Sequence, residues 1–216
     1  FHAENIRIGG GRIVFDLVSP LGNISDIELG VPVSINIDNG IAACALAQIA
    51  GASAEEIREG MRTYAGVDRR FDFKIKNDRC VFLSDYAHHP AEIKQSIQSL
   101  REVFDGRKIS AIFQPHLYTR TRDFYGDFAE ALSLLDEVIL LDIYPARELP
   151  IEGVTSQLIY DRLRPDMQRR MAHLQDLPKI AEEEDFDVLV VLGAGDADTY
   201  CPQIADILRA KYQIEA

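Results

Sequence analysis

Read from its N-terminus, the chain carries two textures of hydrophobic and polar positions. From Asn5 to Gly30, apolar and polar residues roughly alternate through "RIGGGRIVFDL" and "SPLGNISDIEL", the pattern of half-exposed antiparallel strands joined by tight turns. Two helical patterns follow. Ile37, Ile41, Leu46 and Ile49 mark an apolar face with small residues between them on "INIDNGIAACALAQIAG". Ser53, with Glu56 three residues on, predicts a capped helix over "SAEEIREGMRTYAG", and Gly51 and Gly66 are expected to close the two helices.

After Gly66 the texture becomes strand, helix, strand, helix. "CVFLSD", "ISAIFQ", "EVILLDI" and "DVLVVLG" are continuous apolar runs, as expected of parallel strands covered on both faces. Between them, Ile93, Ile97, Leu100 and Phe104 fall at helical spacing behind Pro90, which suits a first helical turn. Phe124, Phe128, Ala131, Leu132 and Leu135 repeat that spacing in the next segment. The pattern predicts an α/β chain: a Rossmann-like, open, mostly parallel sheet with helices on both faces, preceded by a small β-rich and helical piece. The boundary is expected near Gly66, dividing residues 1–66 from 67–216, with "GVDRRFD" as connector.

In such a sheet, ligands bind outside the carboxyl ends of the strands, and the unusual polar residues follow those ends. They are "SDYAHHP", "QPHLYTRTRD", "DIYPARE" and "GAGD". The competing reading is a set of ordinary turn-rich loops, with His88 or His89 capping a helix. Adjacent side chains point apart and neither a carboxylate nor a third His stands at ligand spacing, so hydrogen bonding rather than metal ligation is expected of His88 and His89. Arg120 and Arg122 are two apart, so on a helix only one enters a site while the other pairs with an acid such as Asp123. Asp196 and Asp198 spoil a dinucleotide fingerprint in "GAGDAD", which leaves tight turning as the role of Gly193 and Gly195. Asn36 and Asn39 at a helix start are either caps or a pair of amides able to read an adenine edge.

Charge narrows the partners. A formal charge of −12 and a pI near 4.8 argue against nucleic acid, which needs clustered Lys and Arg. Cys44, Cys80 and Cys201 are odd in number and widely spaced, so neither a disulfide framework nor a zinc site is expected and a reducing cytoplasm fits. No apolar run approaches the roughly 20 residues of a membrane span. The chain begins "FHAENI" without an initiator methionine, as a piece of a longer polypeptide would. No G-x-x-x-x-G-K-[ST] occurs, so these residues supply no such phosphate cradle and no Ser or Thr for Mg²⁺.

The segments "NIDNGIAACALAQIAG", "GVDRRFD", "SDYAHHPAE", "FQPHLYTRTRDFYGDF" and "LLDIYPARELPIEGVTS", in that order, resemble the Mur ligases of peptidoglycan synthesis. The resemblance implies a bacterial, cytoplasmic, ATP-dependent ligase of three domains, of which residues 1–66 match the end of the central ATP-binding domain and 67–216 the C-terminal Rossmann-like domain. It implies that ATP, with Mg²⁺, activates the carboxylate of UDP-N-acetylmuramate as an acyl phosphate and that the amine of L-alanine attacks it. A recycling relative that attaches a whole tripeptide is the alternative, and a stand-alone α/β ligand-binding module is a second. By the same resemblance Asn36, Asn39, Arg70 and Asp85 belong to the ATP site, Tyr86, His88 and Arg120 contact the muramoyl substrate, and His88 and Arg120 are catalytic. The family often carries His where this chain has Ile35 and Arg where it has Leu117. Without the central and N-terminal domains the chain is expected to be inactive and to hold no cofactor.

Overall fold

The computed structural model describes residues 1–214. They divide into two compact units, residues 1–67 with 99–106, and residues 68–98 with those from 107 onward. In the first, β1 (His2–Gly9), β2 (Arg12–Val18) and β3 (Ile24–Glu28) form an antiparallel sheet in that order. The β1–β2 turn runs through Gly10 and Gly11 at φ +58° and +76°, the backbone that a tight hairpin requires. Every second residue of β2, Ile13, Phe15 and Leu17, is buried.

Helices α1 (Ile35–Ile49) and α2 (Ala54–Thr63) follow. The capping box of α2 is formed: Ser53 Oγ accepts from the Glu56 amide and Glu56 Oε2 accepts from the Ser53 amide. Its helix ends at Thr63, short of Gly66, whereas Gly51 at φ +91° does follow the end of α1. The face of α1 differs from the one its periodicity marks. Gly40 and Cys44 are buried, while Leu46 and Ile49 are 69% and 66% exposed. The reason is closeness of approach. A Cβ at residue 40 would lie 3.0 Å from the Met61 methyl and 3.2 Å from Leu29 Cδ2, so the helix packs through its small residues and turns its larger aliphatics outward.

The second unit is a six-stranded sheet in the order β4 (Asp72–Lys76), β5 (Val81–Asp85), β9 (Val188–Leu192), β6 (Ile109–Phe113), β7 (Glu137–Leu141), β8 (Gln168–Ala172). All neighbours are parallel except β4 against β5. The expected α/β architecture is therefore present, with four runs read correctly as buried strands. Strands β4 and β8 are additions at the two edges. An edge strand has neighbours on one side only, and neither carries a continuous apolar run: β8 reads "QRRMA" with no buried residue, and only Ile75 of β4 is buried.

Helices α3 (Pro90–Val103), α4 (Tyr118–Leu132), α6 (Leu177–Glu183) and α7 (Cys201–Tyr212), with the short α5 (Gln157–Tyr160), complete the fold. One sheet face packs Phe82, Ile112, Ile139, Leu189 and Val191 on α6 and α7 through Leu177, Ile204 and Leu208. On the other, Phe113 meets Phe128 of α4 at 5.4 Å between ring centroids. Phe124, grouped by spacing with this core, is instead exposed and lies edge-on to His89 at 5.2 Å.

Candidate functional site

The carboxyl ends of β5, β9, β6 and β7 carry the polar loops, and β9 is inserted between β5 and β6. The loop at residues 193–198 therefore lies between the one beginning at Asp85 and the one beginning at Gln114. A cleft lined by Lys76, Asn77, Arg79 and Arg209 lies by the β4–β5 turn, at the amino end of β5, and is separate from these loops.

His88 is held at three points. Its amide donates to Glu92 Oε2 at 3.0 Å, its carbonyl accepts from Arg120 Nη1 at 3.4 Å, and its Nδ1 lies 2.8 Å from the Tyr86 carbonyl. A carbonyl can only accept, so Nδ1 carries the proton and a neutral ring presents Nε2 as an acceptor. Tyr86 is edge-on at 5.0 Å and His116 at 6.1 Å between centroids, and His116 stacks on Tyr144 at 5.6 Å. Burial, together with the charge of Arg120, holds the His116 ring below its usual range, and its buried Nδ1 has no hydrogen-bond partner.

Arg120 comes to this cluster because α4 begins directly after it. Leu117 starts the helix with a left-handed backbone, φ +74°, and its amide donates to the Tyr144 carbonyl at 2.9 Å. Glu148 closes the first turn, accepting from the Thr119 amide at 3.0 Å and from its hydroxyl, and these hydrogen bonds hold its carboxyl below the usual carboxylate range. A carboxylate thus already occupies the positive end of this helix. Arg122, two residues on, turns away and pairs with Asp123 at 2.7 Å.

Asp85 ends β5 in a different setting. Burial raises its carboxyl, opposed by hydrogen bonds from the Ser96 hydroxyl, at 2.6 Å, and from the Ala87 and Phe71 amides. Its side chain is therefore engaged within the fold. Loop 193–198 is fixed by Gln114, whose Nε2 donates to Asp196 Oδ1 at 2.7 Å and whose Oε1 accepts from the Ala197 amide at 2.9 Å. A Cβ at residue 195 would stand 2.1 Å from that Oε1, so Gly195 is required by contact alone. This is tight turning rather than a nucleotide cradle.

The connector places its two arginines oppositely. Arg69 is turned inward, donating through Nη2 to the carbonyls of Gly193 and Gly195 at 3.1 and 3.2 Å. Arg70 is exposed. Arg69 and Phe71 on either side of it have left-handed backbones, φ +60° and +49°, each costing roughly 1–2 kcal/mol for an L-residue. Asn36 and Asn39 belong to the first unit, within α1: Asn36 Nδ2 donates to the Val31 carbonyl at 3.1 Å and Asn39 Nδ2 to Asn36 Oδ1 at 3.2 Å. Neither is the cap, which is Ser34. Gln114, His116 and Glu148 were not singled out from the sequence, although all three sit inside the marked motifs "QPHLYTRTRD" and "DIYPARE".

Residues 69–195, more than half of the chain, match the family described as Mur ligase, glutamate ligase domain. A UDP-N-acetylmuramate–L-alanine ligase of Phocaeicola vulgatus is 65% identical over 98% of this chain and 46% of its own length. The corresponding ligase of Parabacteroides distasonis is 52% identical over 96% and 45%. The crystal structure of a UDP-N-acetylmuramate-alanine ligase from Thermotoga maritima superimposes with a TM-score of 0.73 at 26% identity, covering 98% of this chain and 45% of that one. The chain thus spans about half the length of the curated relatives it matches. The fold, the site loops and these matches agree: the chain belongs to the Mur ligase family and carries its glutamate ligase domain.

Proposed function

We propose that this chain is the closing part of an ATP-dependent ligase that joins L-alanine to UDP-N-acetylmuramate in peptidoglycan synthesis, in the bacterial cytoplasm. The observation that carries the reading is 65% identity, across 98% of the chain, to a relative of that name. On this reading residues 1–66 end the central ATP-binding domain and residues 67–216 form the C-terminal ligase domain. Asn36, Asn39, Arg70 and Asp85 serve the ATP site, Asp85 as a half-buried support rather than a contact. Tyr86, His88 and Arg120 meet the muramoyl end. Among the described residues no group of three or more His, Cys, Asp or Glu could hold a metal, and this reading assigns Mg²⁺ and the phosphate loop to the rest of the polypeptide.

The chemistry asked of these residues is electrostatic. The transferring phosphoryl group and the tetrahedral intermediate formed by amine attack both carry negative charge, which a fixed guanidinium stabilises without reorganising. Arg120, tied by its own hydrogen bond to the His88 carbonyl, is such a group. The amine attacks the acyl phosphate, a C–N bond forms, the C–O bond to phosphate breaks, and the amine proton leaves to a nearby acceptor. The test is ligation by the full-length enzyme with ATP and UDP-N-acetylmuramate, comparing L-alanine with the tripeptide. Turnover with L-alanine and little with tripeptide is expected. The reverse preference assigns the recycling reaction, and turnover with neither overturns the ligase reading.

A further inference from the structure

Arg69 has no part in the roles assigned above, yet it touches three of the segments around them. Its guanidinium donates to the Gly193 and Gly195 carbonyls, pairs through Nε with Asp198 at 3.3 Å, and lies over the Tyr86 ring at 4.8 Å from the centroid. Its carbonyl accepts from the Tyr86 amide at 2.6 Å, and its amide donates to Asp72 Oδ2 at 3.1 Å. One residue thereby joins the start of β4, the end of β5 and the loop after β9.

We propose that Arg69 is a positioning residue that sets Arg70 and Tyr86 together, so that the nucleotide contact and the substrate contact are aimed by a single side chain. This rests on the reading of Arg70 and Tyr86 given above. The left-handed backbone at residues 69 and 71 brackets Arg70, and the inward grip of Arg69 leaves Arg70 exposed. Tyr86 is 40% exposed and so lacks a packed pocket of its own. The Arg69 side chain supplies a cation over its ring, beside the backbone carbonyl of residue 69 that accepts from the Tyr86 amide. The loop after β9 does not depend on Arg69 alone, since Gln114 holds Asp196 and Ala197 and Ser84 Oγ donates to Asp198 at 2.7 Å. Loss of Arg69 should therefore leave the fold standing and misaim the two contacts. Lysine cannot replace it, because a single ammonium lacks the planar fork that reaches two carbonyls and a carboxylate while stacking on a ring.

The experiment is steady-state kinetics of the full-length enzyme, with ATP and UDP-N-acetylmuramate varied separately. Arg70→Ala is expected to raise KM for ATP only and Tyr86→Ala to raise KM for UDP-N-acetylmuramate only. Arg69→Ala is expected to raise both, on the order of tenfold or more, as displaced positioning groups do, and Arg69→Lys is expected not to restore them. In the Tyr86→Ala background, Arg69→Ala should add to KM for ATP but no longer to KM for UDP-N-acetylmuramate, a pattern that mere loss of stability does not produce. If Arg70→Ala and Tyr86→Ala act as expected while Arg69→Ala shifts neither KM, or only one, or Lys restores both, this proposal alone falls. If Arg70→Ala and Tyr86→Ala are themselves silent, the reading of the site falls and this proposal with it. Should Arg69→Ala not accumulate as folded enzyme, Arg69→Lys, which keeps the charge, decides between the same outcomes.

Discussion

Strand β2 of the first unit buries alternate residues, whereas β9 of the second is buried along its whole length. The contrast extends to the sheets. In the first unit β1 exposes both faces, with Ile6 and Ile8 in solvent, and α1 leaves Ile35, Leu46 and Ile49 uncovered. The second unit covers its sheet with helices, and its remaining exposed apolar groups are scattered, as at Leu149 and Phe124. A sheet buried on both faces has only its ends for polar chemistry, which is where Tyr86, His88, His116 and Arg120 stand. The first unit, with an open face, offers its candidate polar groups from a helix start instead. Completeness of burial and placement of chemistry are thus one property seen twice.

Hydrogen exchange is the broadest way to break this comparison. Amides of β1 are expected to exchange through local openings of nearly zero free energy. Those of β9 should be protected up to the global stability, typically about 5–15 kcal/mol. Equal protection would mean that the first unit is as self-sufficient as the second. Truncation sharpens the same point: Phe82→Ala, in the middle of a covered sheet, should cost about 3–5 kcal/mol in chemical denaturation of this chain. Leu46→Ala should stay within about 0.5 kcal/mol, although the two positions look alike in sequence.

At the strand ends the expected effect is on rate. In the full-length enzyme Arg120→Ala should lower kcat by roughly a hundredfold or more with little change in melting temperature, while Arg122→Ala, paired outward with Asp123, should be nearly silent. An inactive Arg122→Ala beside an active Arg120→Ala would reverse the assignment. The smallest effect is a pH dependence. Burial lowers the folded His116 ring below its ordinary value of 6.5, so below that pH the unfolded chain binds the extra proton and stability falls as pH falls. Denaturation midpoints of the wild type should drop, as pH falls below about 6.5, more than those of His116→Asn. Because Asp142 raises His173 and tilts stability the other way, the two proteins must be compared with His173 intact in both.

What local sequence carries, the sequence alone determined. Four apolar runs, Pro90 at the start of α3 and the Ser53–Glu56 box each express a preference that neighbouring residues settle among themselves, and they were legible for that reason. The polar clusters after the strands were legible too, since a strand's end is a local event. Tertiary structure decided what depends on distant partners. The insertion of β9 between β5 and β6 brings Gly193 to Gln114 and Arg69, and no periodicity encodes strand order. Edge strands β4 and β8 lack the two-sided burial that writes an apolar run. Leu46 and Gly40 exchanged their expected places because a close helix contact selects small residues over large ones. Nothing in "DRRFD" tells its two arginines apart. The left-handed backbone at residue 69, and carbonyls more than a hundred residues away in sequence, turn one inward and leave the other free.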